Sequence, residues 1–164
     1  MQPDDALTNR PSIYVDADAC PVKDEVVKVA QRHGLAVTFV SNGGLRPSRD
    51  PTIRNVVVSK GADAADDWIA ENAAANDIVV TADIPLAART VVLDAHLLGP
   101  TGRQFTPETI GMALAMRDFQ QHLRETGESK GYNASFAAAD RSRFLSELDR
   151  VCRRALNAAK ERPA

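Results

Sequence analysis

A chain of 164 residues, 44% of them hydrophobic, is the size of one ordinary domain with a single sizeable core, which leaves little room for a second domain. Its 22 acidic and 20 basic residues give a formal net charge of −2, so no overall field draws it onto nucleic acid or a membrane surface, and a phosphate-bearing partner has to be held locally. Apolar runs such as Ile78-Val79-Val80 and Val91-Val92-Leu93 are far short of the ~20 residues that a bilayer span requires, so no membrane crossing is expected.

Residues 1–11, with Asp4, Asp5, Asn9 and Pro11, contain no apolar stretch of signal-peptide length and read as a flexible arm that directs no secretion. Cys20 and Cys152 are too few for a disulfide framework and are not spaced as metal ligands, which fits reduced thiols in a cytoplasmic protein. From residue 12 to 126, short β-branched runs alternate with helical stretches, the pattern of parallel strands joined by crossover helices. Ile13-Tyr14-Val15 is the first strand and runs into Asp16-Ala17-Asp18-Ala19-Cys20-Pro21. Pro21 suits the first turn of a helix carrying Val22, Val26, Val29 and Ala30, which Gly34 stops. Ala36 to Ser41 is the second strand, and Asn42-Gly43-Gly44 turns it into a polar, mobile loop with Arg46, Pro47, Arg49, Asp50 and Pro51 before a third strand near Arg54 to Val58.

Asp63 is placed as the N-cap of the next helix, on which Ala65, Ile69 and Ala73 share a face. Asp77 to Thr81 is the fourth strand; Ala82-Asp83 follow, and Ile84-Pro85 opens a helix to about Leu93. His96-Leu97-Leu98 is a short fifth strand, and Thr106-Pro107-Glu108 starts a helix that reaches about Glu125. A polar connector then leads, within 127–160, to a last helix from about Ala137. Its stripe of Phe144, Leu148, Val151 and Ala155, flanked by Leu145, Cys152 and Leu156, packs on the domain or on a second subunit as a homodimer contact.

Asp16 and Asp18 follow strand one, Asp63, Asp66 and Asp67 follow strand three, and Asp83 follows strand four. In a parallel sheet these positions share the edge at which open α/β folds bind ligands, so Asp16 and Asp83 are expected to be neighbours. Crowded carboxylates repel, and a hard cation such as Mg²⁺ or Mn²⁺ relieves the repulsion while taking oxygen ligands. Helix capping and the macrodipole explain Asp63 and Asp66 equally well, and Asp67 is expected to face solvent. Lys23 and Asn42 point to the same edge and are candidates for phosphate or metal-bound water, while Arg103, Arg117 and Arg46 are candidates for the local positive charge that grips a nucleic-acid backbone. Cys20 reads as a small packed residue, and His33, His96 and His122 show no ligand spacing.

Several blocks in order, Tyr14-Val15-Asp16-Ala17-Asp18-Ala19-Cys20-Pro21-Val22-Lys23, Gly61-Ala62-Asp63-Ala64-Ala65-Asp66, Val80-Thr81-Ala82-Asp83-Ile84-Pro85-Leu86-Ala87 and Gly99-Pro100-Thr101-Gly102-Arg103, resemble the YaiI/YqxD family of uncharacterised bacterial proteins. That family is assigned to the PIN-like nuclease fold. The resemblance covers about Ile13 to Arg154 and implies a three-layer α/β domain with a central, mostly parallel sheet flanked by helices, plus a C-terminal helix. It also implies a Mg²⁺ or Mn²⁺ nuclease acting on RNA or another nucleic acid, with Asp16, Asp66 and Asp83 as catalytic acids and Asp18 and Asp63 as further ligands. The connector Ser129-Lys130-Gly131-Tyr132-Asn133 departs from the Gly/Pro-rich stretch of relatives. Two other readings stand beside the nuclease: a non-catalytic nucleic-acid or nucleotide-binding module, and a haloacid dehalogenase-like phosphatase with Asp16 as nucleophile and Asp18 as acid/base.

Overall fold

The computed structural model describes residues 10–18, 20–61, 63–125 and 136–161. The elements follow in the order β1 (Ile13–Asp16), α1 (Lys23–His33), β2 (Val37–Ser41), β3 (Ile53–Val57), α2 (Ala64–Asn72), β4 (Ile78–Val80), α3 (Ile84–Val91), β5 (His96–Leu98), β6 (Gln104–Phe105), α4 (Pro107–Glu125) and α5 (Ala138–Glu161). The expected three-layer α/β fold with a mostly parallel sheet and a C-terminal helix is what the chain forms. Strand order is β3-β2-β1-β4-β5-β6. All neighbours are parallel except the last pair, in which β6 runs against β5 through Leu97–Phe105 and Leu98–Gln104.

The two faces of β1 divide the core. Ile13 and Val15 point to the layer of α1 and α5, where Val26, Val29, Phe144, Leu148 and Val151 join one apolar cluster. Tyr14 and Asp16, one residue out of phase, point to the layer of α2, α3 and α4, whose cluster holds Ile69, Val79, Leu86, Leu97 and Ile110. Tyr14 accordingly meets Trp68 of α2 with ring centroids 6.0 Å apart. Gly34 closes α1 in the left-handed conformation at φ 68°. Pro21 lies ahead of α1 rather than in its first turn, and Val22 takes the N-cap position.

The stripe on α5 lies in the core beside the sheet, with Phe144 and Leu148 fully buried. Burial of each such side chain contributes roughly 1.5–3 kcal/mol. Polar contacts fix the angle at which α5 lies: Arg141 donates to Pro21 O (2.7 Å) and pairs with Glu25, His33 Nε2 lies 2.7 Å from an Asp149 oxygen, and Asn76 Nδ2 donates to Ala155 O at 2.8 Å. Of the expected N-terminal arm only Arg10 and Pro11 fall among the described residues; Arg10 donates to Gly34 O. The connector Ser129–Asn133 lies outside them. Among the described residues no helix is long and apolar enough to cross a membrane.

From β1 the chain moves outward through β2 to β3, then returns to place β4 on the other side of β1 and continues to β5. The connections after β1 and after β4 therefore lead away in opposite directions. A crevice is left at the C-terminal ends of these two strands, the switch point at which open α/β sheets bind ligands.

Candidate metal centre

Three carboxylates meet at that crevice. Asp16 ends β1 on the α2 side, Asp66 sits in the first turn of α2, and Asp83 is the N-cap of α3; one oxygen of each lies within 4.8 Å of the others. Each is aimed by its local structure. Asp16 Oδ2 accepts a hydrogen bond from the Thr81 hydroxyl (3.0 Å), and the same Thr81 Oγ1 accepts the Asp83 backbone N–H at 2.9 Å. Asp83 Oδ1 accepts the Leu86 N–H at 3.0 Å, the bond that starts α3. Asp66 is 9% exposed because its position on α2 turns it inward with Ala65 and Ile69.

The electrostatics are those of carboxylates crowded together in a partly dry site. Burial pushes the Asp66 carboxyl up to about 6, the charges of Asp83, Asp16 and Asp63 push the same way, and Arg89 opposes them. Asp16 is also raised, chiefly by burial; the Thr81 hydrogen bond offsets part of this, and the Asp83 and Asp18 charges add to it. A hard divalent ion fits this donor set. All three groups offer oxygen, and oxygens within 4.8 Å of one another can share one ion at ligand distances of roughly 2.0–2.6 Å.

The other expected ligands lie apart from this trio. Asp18 is exposed and its oxygens accept the Asn42 backbone N–H at 3.1 and 3.3 Å, so it borders the cleft without joining the cluster. Asp63 is at the N-cap position of α2 but makes no side-chain capping bond; it is exposed and acts on Asp66 only through its charge. Asp67, exposed as expected, pairs with Arg89 at 2.8 Å. Thr81 is the organising residue that the sequence reading passed over. The signal was present, since a Thr two residues before an Asp at a strand end readily accepts that residue's N–H.

Two cavities open at the cluster. A cleft of about 290 Å³ is lined by Asp16, Asp18, Cys20, Thr81, Asp83 and Pro100. A groove of about 370 Å³ shares Ala82 and Asp83 with it and is walled by Arg103, Met116, Arg117 and Gln120. Arg103 and Arg117, fourteen residues apart in sequence, thus meet beside Asp83. Lys23 and Asn42 line neither cavity, and Arg46 lies exposed in the loop after β2. Cys20 faces the cleft, where burial pushes its thiol up.

Fold and site together define an open α/β domain with an acidic cleft at its switch point. The family model of the uncharacterised YaiI/YqxD family matches residues 14–154, and the chain belongs to that family. UPF0178 protein mlr0875 of Mesorhizobium japonicum is 81% identical over 149 residues, covering 91% of this chain and 96% of that protein. UPF0178 protein Atu1478 of Agrobacterium fabrum is 69% identical over 148 residues (90% and 97%), and a UPF0178 protein of Parvibaculum lavamentivorans is 62% identical over 137 (84% and 90%). No solved structure gives a significant match.

Proposed function

We propose that the protein is a Mg²⁺- or Mn²⁺-dependent hydrolase of phosphodiester bonds, a nuclease acting on RNA or a related nucleic acid. The observation that carries this reading is the convergence of Asp16, Asp66 and Asp83 within 4.8 Å at the switch point of a parallel sheet. The PIN-like character implied by the sequence resemblance agrees with it. These three carboxylates would hold the ion, which when bound supplies an acidified water and neutralises charge on the phosphoryl oxygens.

The chain's own groups do the positioning. Thr81 fixes one Asp16 oxygen and, by accepting the Asp83 N–H, keeps the backbones of both acids in register. The Leu86 N–H holds Asp83 Oδ1, leaving its other oxygen for the cleft. Partial burial of Asp16 and Asp66 lowers the local dielectric and strengthens their hold on a cation. The phosphatase reading needs Asp18 poised over Asp16 as acid/base. Asp18 instead accepts the Asn42 amide, which favours the diester reading.

The test is cleavage of labelled RNA and single-stranded DNA by EDTA-treated protein resupplied with Mn²⁺, alongside Asp16→Asn. Metal-dependent cleavage that the variant loses is expected, together with thermal stabilisation of the wild type by Mn²⁺ of about 2.7 kcal/mol at a hundredfold excess over the dissociation constant. Stabilisation without cleavage of either substrate would replace the nuclease with a metal-dependent binding module.

A further inference from the structure

The acidic cleft has a basic neighbour. The groove that shares Asp83 with it is walled by Arg103, from the turn before β6, and by Arg117 and Gln120, from α4. Six arginines, Arg32, Arg89, Arg141, Arg143, Arg150 and Arg153, pair with carboxylates at 3.6 Å or closer. Arg103 has no carboxylate partner among the described residues; its guanidinium lies 5.4 Å over the Phe105 ring. Arg117 approaches only the adjacent Asp118, at 3.9 Å, with both side chains about half or more exposed. Two guanidinium groups with no carboxylate nearer than 3.9 Å among the described residues, beside three carboxylates that suit a metal, form a divided site.

The dividing wall is the turn Gly99–Arg103. Pro100 faces the acidic cleft and Arg103 the groove. The turn is seated on α5: a Cβ on Gly102 (φ +90°) would lie 2.8 Å from Arg143 Cγ and 3.0 Å from its backbone carbon. Gln104, next in the chain, donates to Glu147 of α5 at 2.9 Å. Arg103 is therefore carried on a turn whose position the last helix fixes, and Arg117 on α4, which packs against α3, the helix that Asp83 caps.

We infer that the groove is a second phosphate subsite, in which Arg103 and Arg117 hold a phosphate flanking the one at the carboxylates, so that the ligand is a polymeric phosphodiester strand and not a mononucleotide or phosphate monoester. This rests on the metal-hydrolase reading for what happens at the carboxylates, but strand binding in the groove is independent of catalysis. Charge complementarity chooses the occupant: a backbone with one negative charge per nucleotide suits two guanidinium groups that share one groove, and a cation held by the aspartates suits its neighbouring phosphate. A ribose and a deoxyribose strand offer the same phosphate chemistry.

The test is anisotropy of short fluorescent single strands, one ribo and one deoxy, with the full-length protein in Ca²⁺ over a series of salt concentrations. For an Arg103→Gln/Arg117→Gln double variant, the slope of log affinity against log salt is expected to fall by about 0.7, the share of the one phosphate that the pair holds on a single strand. The Arg→Lys pair should keep most of the slope, since charge and not fork geometry carries this contact, and light scattering should give both variants the wild-type mass. In Mn²⁺ the Gln pair should lose more kcat/KM on an oligonucleotide than on a dinucleoside monophosphate, which has no flanking phosphate. An unchanged salt slope overturns the subsite even if cleavage is intact. A change of mass overturns it too, by making α4 with its exposed Met112, Met116 and Phe119 a contact between protein copies. A reduced slope in a protein that cleaves nothing upholds the subsite and sinks only the hydrolase.

Discussion

Asp66→Asn should stabilise the metal-free protein at neutral pH. Asp66 is 9% exposed and holds its proton up to about 6, against an ordinary 3.8. The folded state therefore binds this proton more tightly than the unfolded chain. Stability is greatest where the carboxyl is protonated in both states, falls as pH rises from about 3.8 towards 6, and stays at its lower level above that. At ~1.4 kcal/mol per pH unit, a difference of about two units is at most about 3 kcal/mol, and water and salt at the cleft mouth reduce it to about 1–2 kcal/mol. Asn has the shape of Asp without the charge. It also gives up the favourable interaction of an acid with the N-terminal end of α2, about 0.3–1 kcal/mol, which leaves a net gain of about 1 kcal/mol. For a domain of this size that raises the melting temperature by ~2–4 °C. The assay is thermal unfolding of both proteins in EDTA between about pH 4 and pH 8, with the variant's advantage expected to shrink as the pH falls through the range in which Asp66 regains its proton. Excess Mn²⁺ should reverse the order, because the wild type gains a bound ion. A variant that melts lower than wild type in EDTA at neutral pH, or a gap that ignores pH, would refute the idea that burial and the neighbouring charges hold the Asp66 carboxyl above its ordinary range.

Asp83→Asn keeps a good N-cap on α3 while removing a charge, so it should melt in EDTA at or above the wild type; Asp83→Ala loses the bond from Leu86 N–H and should cost about 1 kcal/mol, and both should lose the Mn²⁺ shift seen by differential scanning fluorimetry. Equal losses for Asn and Ala without metal would make Asp83 purely a scaffold residue. Leu148→Ala, at a fully buried position between α5 and the sheet, should lower urea stability by about 2–5 kcal/mol. A midpoint unchanged from wild type would mean that α5 is not docked through this face.

The sequence carried the sheet well because its strands are β-branched runs separated by helices, and fully covered parallel strands leave that trace. It carried Asp16 and Asp83 for the same reason: each lies at the end of such a run, and position along a parallel strand decides which edge a residue occupies. The residues that were harder to place depend on rotation or on distant contacts. Asp63 and Asp66 both belong to the start of α2, and only the helix phase, with Asp66 sharing the buried face of Ala65 and Ile69, separates ligand candidate from bystander. Asp18 would share Asp16's face if β1 continued, but the strand ends at Asp16 and the chain turns, taking Asp18 to the Asn42 amide. Gln104–Phe105 left no periodic signal because two residues show no period; β6 is held by its pairing with β5 and by the bond from Gln104 to Glu147 of α5. The meeting of Arg103 with Arg117 is likewise a product of tertiary packing.

Capping and metal binding looked like competing explanations for acids at helix starts, and the geometry makes them compatible. The first turn of α2 and the N-cap of α3 each contribute one member of the trio, so two helix N-termini lie at the cluster. Each such end carries roughly half a positive charge from its unpaired N–H groups. Three carboxylates against two helix ends leave about two negative charges, less whatever proton Asp66 retains. The helix ends explain how the fold holds three acids this close before any ion arrives. The remaining charge matches a divalent cation and is more than a monovalent one would neutralise. An Asp83 serving only as a cap would need neither Asp16 nor the buried Asp66 beside it, and the desolvation of those two carboxyls would then be a cost that the Thr81 hydrogen bond and Arg89 offset only in part.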